Sequence, residues 1–114
     1  MNTANEMTFG QMTMDAAARH SNVFLIDMVS WLESPVNFLV WATFRSRANA
    51  KWEQGFKRYS ARTIGETIRF DTDLSDSGTD FKLNDHLWPD LARLYMLMNP
   101  EREGFFEFRG RRAA

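Results

Sequence analysis

A mainly α-helical fold is predicted by three features of the sequence. Val36, Val40, Phe44, Ala48 and Trp52 recur every four residues, with Leu39 widening the stripe, as one face of a long helix must. Leu87, Leu91, Leu94, Tyr95 and Met98 make a second stripe of helical spacing. Start and stop residues frame both. Ser34 and Pro35 supply an N-cap and a first-turn proline whose missing N–H costs nothing there, while Gly55 and then Asn99-Pro100 end the two helices.

The remaining elements follow in chain order. Met1–Thr13 has no firm period and is expected to fray, and Met14–His20 is at best a marginal helix because it carries little apolar surface. Ser21–Leu32 reads as a helix capped by Ser21 or Asn22 and apolar around most of its circumference, so it must be buried or bound. The long helix from Pro35 comes next, and Phe56 and Tyr59 pack the turn after it. Ser60 opens a further helix whose inner face is Ile64 and Ile68, helped by Ala61. Asp71–Asp80 is a loop by composition, and Phe81–Leu83 alternates like a short strand. The helix of the second stripe is capped by Asn84 or Asp85 and tolerates Pro89 only near its start. Phe105–Arg109 is an apolar strand able to pair with Phe81–Leu83. The expected architecture is a winged-helix-like three-helix domain over residues 34–110 with a small C-terminal β element, an N-terminal helical arm over 1–33 and a basic tail over 111–114.

Composition bounds the function. With 114 residues, 44% apolar and 25% charged, the chain can bury one core without staples. The absence of cysteine excludes a disulfide scaffold, a thiolate metal site and a cysteine nucleophile, and fits a reducing compartment. No apolar run approaches the roughly 20 residues a bilayer requires. Met1–Gln11 has no basic stretch leading into an apolar one, so no secretory signal is expected. Net charge is −1 but unevenly spread: residues 41–70 hold seven basic against two acidic side chains, a net of +5, between flanks of −3 each. A cationic patch in the middle of the chain is therefore compatible with a nearly neutral whole.

Three blocks, GFKRYSARTIGETIRFDT at 55–72, DFKLN at 80–84 and ARLYMLMNPEREGFFEFR at 92–109, resemble a family of small phage and prophage proteins. The shared pattern is a basic-aromatic-S-A-R-x-I turn, an I-R-[WF]-[ED]-T helix end, F-K-[IL]-N, and A-R-x-[FY]-M followed by N-P or H-P and G-F-F-x-x-R. The match covers residues 28–112 with the spacing between blocks kept. Phe70 stands where the family has Trp, and Asp85-His86 where it tends to be Asn-rich. The resemblance implies a short accessory protein of a mobile element, working in the cytoplasm of a bacterial host, and implies no reaction.

Candidate sites divide into two. Lys57, Arg58, Arg62 and Arg69, with Tyr59 interleaved and Ser60 at a helix N-terminus, have the residue types that hold phosphates and predict a nucleic-acid site. The helix from Asn84 is a poor recognition helix, since Asp85 and Asp90 would repel phosphates and the loop before it exceeds the roughly 3–4 residue turn of a helix-turn-helix. Trp31, Phe38 and Trp41, with Met12, Met14 and Met28, exceed what a three-helix core needs, and predict a protein interface or a homodimer contact. The alternative is that residues 21–32 fold back and cover them. No catalytic motif, metal-ligand spacing or cofactor fingerprint is present; the aspartates of 71–80 miss the calcium-loop order, with Gly78 too late and no closing Glu. The expected function is non-catalytic binding of nucleic acid, or alternatively protein-mediated inhibition of host machinery such as a defence system, in the manner of an anti-CRISPR protein. No cofactor is expected.

Overall fold

The computed structural model describes residues 7–72 and 87–107. They form five α-helices: α1 (Phe9–Arg19), α2 (Met28–Leu32), α3 (Pro35–Glu53), α4 (Ala61–Thr72) and α5 (Leu87–Met98), with single 3-10 turns at Ser21–Val23 and Pro100–Arg102. The mainly helical class is correct. The winged-helix arrangement is not supported: among the described residues there is no strand, only one isolated parallel bridge between Tyr59 and Phe106. Phe81–Leu83, the expected partner of Phe105–Arg109, lies outside the described residues. Phe105 and Phe106 are buried instead as aromatic plugs, their rings against Trp52, Tyr95 and Phe44 at centroid distances of 5.5 to 6.2 Å.

The N-terminal arm belongs to the core. α1 packs on α5 and α2, and α2 on α3, beside the mutual packing of α3, α4 and α5. α1 begins at Phe9, earlier than its weak apolar periodicity predicts, because Thr8 and Gln11 form a capping box: Gln11 N–H donates to Thr8 Oγ1 (3.0 Å) and Thr8 N–H to Gln11 Oε1 (2.9 Å). Tertiary contacts complete it, since Thr13 and Ala17 are fully buried and the Phe9 ring stacks on Trp41 at 6.1 Å.

Residues 21–32, expected as one helix, are broken in the middle. The carboxylate of Asp90 on α5 accepts the N–H groups of Leu25 (2.9 and 2.8 Å) and Ile26 (2.8 Å), so those groups are withdrawn from any helical ladder. α2 then restarts with Asp27 as its N-cap, its Oδ1 accepting from Ser30 N–H. Asp90, read from sequence as a charge at the tip of a recognition helix, is thus a fully buried clamp, neutralised by Arg93 at 2.8 Å.

α4 and α5 meet where Gly65 faces Trp88. A Cβ at position 65 would lie 2.3 Å from two atoms of the indole ring, so only glycine permits this approach. Gly65 accepts a helix-interior cost of about 1 kcal/mol relative to Ala in exchange for seating a buried tryptophan. No helix among the described residues is long and apolar enough to cross a membrane.

Candidate nucleic-acid interface

The turn between α3 and α4 is held at three points. At its start, Gly55 adopts φ +101°, its N–H donates to Trp52 O (3.0 Å) and Phe56 N–H donates to Lys51 O (3.2 Å). These are the two bonds of a Schellman cap, and the left-handed φ is the reason for glycine. In the middle, Tyr59 N–H donates to Phe105 O (2.9 Å), tying the turn to the segment after α5. At its end, Ser60 Oγ accepts from Thr63 N–H (3.1 Å) and caps α4.

On this frame the structure gathers most of the sequence-predicted residues. Lys57, Arg58, Ser60 and Arg62 are exposed, and Tyr59 is half-buried. Arg69 stands seven residues beyond Arg62, on the same flank of α4 but roughly 10 Å along its axis, and is half-buried. The cations are not all left to solvent. Arg58 Nη1 lies 2.7 Å from Glu107 Oε2, in a pair whose side chains remain 73% and 59% exposed. Such pairs are worth about 0–1 kcal/mol and exchange partners readily. On the other flank of α4, Arg47 Nη1 donates to Thr67 Oγ1 (2.9 Å), which itself donates to Ile64 O (2.6 Å). Lys51 Nζ sits 5.5 Å from the centroid of Phe56 and 5.2 Å from that of Tyr59, a cation over two rings.

The predicted protein-interface residues fare differently. Trp41 is fully buried, stacked between Phe9 and Phe44, with its Nε1 donating to the equally buried Thr13 Oγ1 (3.1 Å). It is a core residue, and the expectation of a surface role is corrected. Phe38 is half-buried with its ring edge-on to Phe9 at 5.7 Å, and Trp31 is half-buried against the core. The aromatic excess is absorbed by α1 and α2. The apolar side chains that do face outward on α3 are Val36 and Leu39, which sequence reading had assigned to the inner stripe.

A second polar cluster escaped prediction. Tyr95 Oη donates to Asn49 Oδ1 (2.7 Å), and Arg102 Nη1 donates to both Asn49 Oδ1 (2.8 Å) and Tyr95 Oη (2.6 Å) while its guanidinium lies 4.9 Å from the Trp52 centroid. Burial raises the Tyr95 phenol above its ordinary value, against the opposing pull of Arg102. The group fastens the segment after α5 onto α3. Among the described residues no set of three or more His, Asp and Glu side chains is placed to hold a metal, and the Asp71–Asp80 loop lies mostly outside them. No protein-family model matches the chain, and neither curated proteins nor solved structures show a match to it.

Proposed function

We propose that the chain is a non-catalytic accessory protein of a phage or prophage that acts by binding nucleic acid at the α3–α4 turn. The observation that carries this reading is the exposure of Lys57 and Arg58 on a backbone turn fixed by the Gly55 cap, the Tyr59–Phe105 bond and the Ser60 cap, with Arg62 exposed in the first turn of α4 beside them. Cations presented on a fixed backbone meet phosphates without the ordering cost of a mobile loop. The α4 N-terminus adds the positive end of a 12-residue helix beside them. The resemblance to mobile-element proteins supports the biological setting. Changing Arg58 and Arg62 together to Glu is expected to abolish DNA or RNA affinity, and the lost affinity should fall steeply between about 50 and 200 mM salt in the parent. A parent chain with no salt-dependent affinity for either polymer would refute the proposal.

A second reading, a protein-binding modulator of host machinery, is favoured by one observation: Val36 and Leu39 lie one turn apart on α3, 48% and 63% exposed. Under it, nucleic-acid affinity is absent from the parent chain, and a host partner captured by the parent is lost on Leu39→Glu. Self-association through the same pair would appear as a mass change on that substitution.

A further inference from the structure

Phe56 is exposed to 43%, whereas its aromatic neighbours in sequence, Trp52 and Tyr59, are half-buried against the core. The Schellman cap fixes its backbone, its ring meets Tyr59 edge-on at 5.2 Å and 75°, and Lys51 lies over both rings. It is immediately followed by the exposed Lys57 and Arg58. An exposed ring held in a set orientation and bordered by cations has two complementary features. The ring offers a π-face and about 25 cal/mol per Å² for whatever apolar surface covers it, and the cations require an anion at the border.

Resting on the nucleic-acid reading above, we infer that the turn takes single-stranded nucleic acid, an unpaired base stacking on Phe56 while neighbouring phosphates meet Lys57, Arg58 and Arg62. Every unpaired base has a π-face to offer, whereas a duplex has its faces already stacked. Groove reading of a duplex also needs a helix that stands clear of the protein. α5 cannot supply one, since its buried residues from Leu87 and Trp88 to Leu94 and Tyr95 span more than half of its circumference; α4, with Arg62, Thr63 and Thr67 exposed, is the helix that the duplex arm of the test addresses. The Arg58–Glu107 pair is only a small obstacle, because both partners are largely in solvent and a phosphate can replace the carboxylate.

The test uses the full chain and fluorescence anisotropy with labelled oligothymidylate, oligouridylate and a mixed-sequence DNA duplex, each of about 16 nucleotides or base pairs. The variants are Phe56→Ala, Phe56→Trp and the Arg58→Glu/Arg62→Glu double change, with circular dichroism confirming that each retains its helices. Expected are tighter binding of a single strand than of the duplex, a loss of about tenfold on Phe56→Ala with the salt slope unchanged, and affinity kept or improved by Phe56→Trp. The oligothymidylate and oligouridylate arms separate DNA from RNA as the source of the strand. Duplex binding equal to or tighter than single-strand binding, or indifference to Phe56→Ala, overturns this inference while leaving the nucleic-acid reading in place. Absence of binding to all three probes overturns both.

Discussion

Asp90 and Arg58 sit in ion pairs of nearly equal length, 2.8 Å to Arg93 and 2.7 Å to Glu107, in two regions built for opposite ends. Asp90 is fully buried, and its two oxygens accept from Leu25, Ile26 and Arg93, so every bond it makes points into the fold. Arg58 stands in solvent with one exposed partner. The difference teaches that contact distance alone says little about the role of a charge. A desolvated carboxylate is costly unless fully satisfied, and its removal takes a buried acceptor from Leu25, Ile26 and Arg93; an exposed guanidinium loses little when its partner changes. The α1–α2 side of the molecule uses its polar groups to hold itself together, and the α3–α4 turn directs its own outward.

The largest effect is expected at the clamp. Asp90→Ala removes the acceptor of the Leu25 and Ile26 N–H groups and the buried ion-pair partner of Arg93, a loss of about 3–5 kcal/mol in urea unfolding. Against a typical total of roughly 5–15 kcal/mol, that is enough to release the segment before α2. Hydrogen exchange at Leu25 and Ile26 should accelerate in the same variant. A loss below about 1 kcal/mol would place Asp90 in the same class as Arg58 and break the comparison.

Next in size is Gly65→Ala. The added methyl meets the Trp88 ring at 2.3 Å, and overpacking of this kind costs about 1–3 kcal/mol, which the gain of roughly 1 kcal/mol in helix propensity reduces to a net loss of up to about 2 kcal/mol. Combining it with Trp88→Leu should give less than the sum of the two single losses, since the clash is removed with the ring. Additive losses would show that Gly65 matters for some reason other than Trp88.

Much of this fold was legible in the sequence and some of it was hidden, for reasons that can be named. α3 declared itself through Ser34-Pro35 and Gly55, and α4 through Ser60, because caps and breakers act within a few residues. α1 also carries a local signal, the Thr8-x-x-Gln11 box, which a reading based on its sparse apolar pattern misses. The Asp90 clamp, the Gly65–Trp88 contact and the Asn49–Tyr95–Arg102 cluster join residues tens of positions apart, and no local period encodes them. Asp90 did leave a trace: at Leu87, Asp90, Leu91 and Leu94 a lone acid falls on the apolar stripe, where a charge must be satisfied by the fold or excluded from it. The interface reading of Trp41 failed because counting aromatics does not reveal which helix covers them. At the candidate site the charge pattern marks the turn residues, whereas Phe56, a packing residue by sequence, is 43% exposed.

A smaller effect, with a pH signature, is expected from Tyr95→Phe. It removes the hydroxyl that bonds Asn49 and Arg102, yet Arg102 still reaches Asn49 Oδ1, so the loss at neutral pH is about 1 kcal/mol. The folded phenol titrates above its unfolded value because burial disfavours its anion. The stability it contributes is therefore fully present below the unfolded value near 10 and declines as pH rises from there through the folded value. Unfolding free energies of parent and variant should converge in that alkaline window. A constant difference up to the highest accessible pH would show that the phenol is not desolvated.

The smallest effect on stability is expected at the exposed pair, and it bears most directly on function. Glu107→Gln removes the carboxylate 2.7 Å from Arg58 and leaves the rest of the turn as it is, so unfolding should change by less than about 1 kcal/mol. Binding should move the other way. In the parent chain a phosphate has to displace Glu107 from Arg58, and in the variant it does not. Affinity for a nucleic-acid strand is therefore expected to rise about threefold, with a salt slope steeper by up to one unit as a further cation becomes available for counterion release. Arg58→Gln made on the Glu107→Gln background should cancel both gains. A gain that survived the loss of Arg58 would mean that Glu107 repels the strand through the general field of the surface, and the pair would then have no special part in the contact.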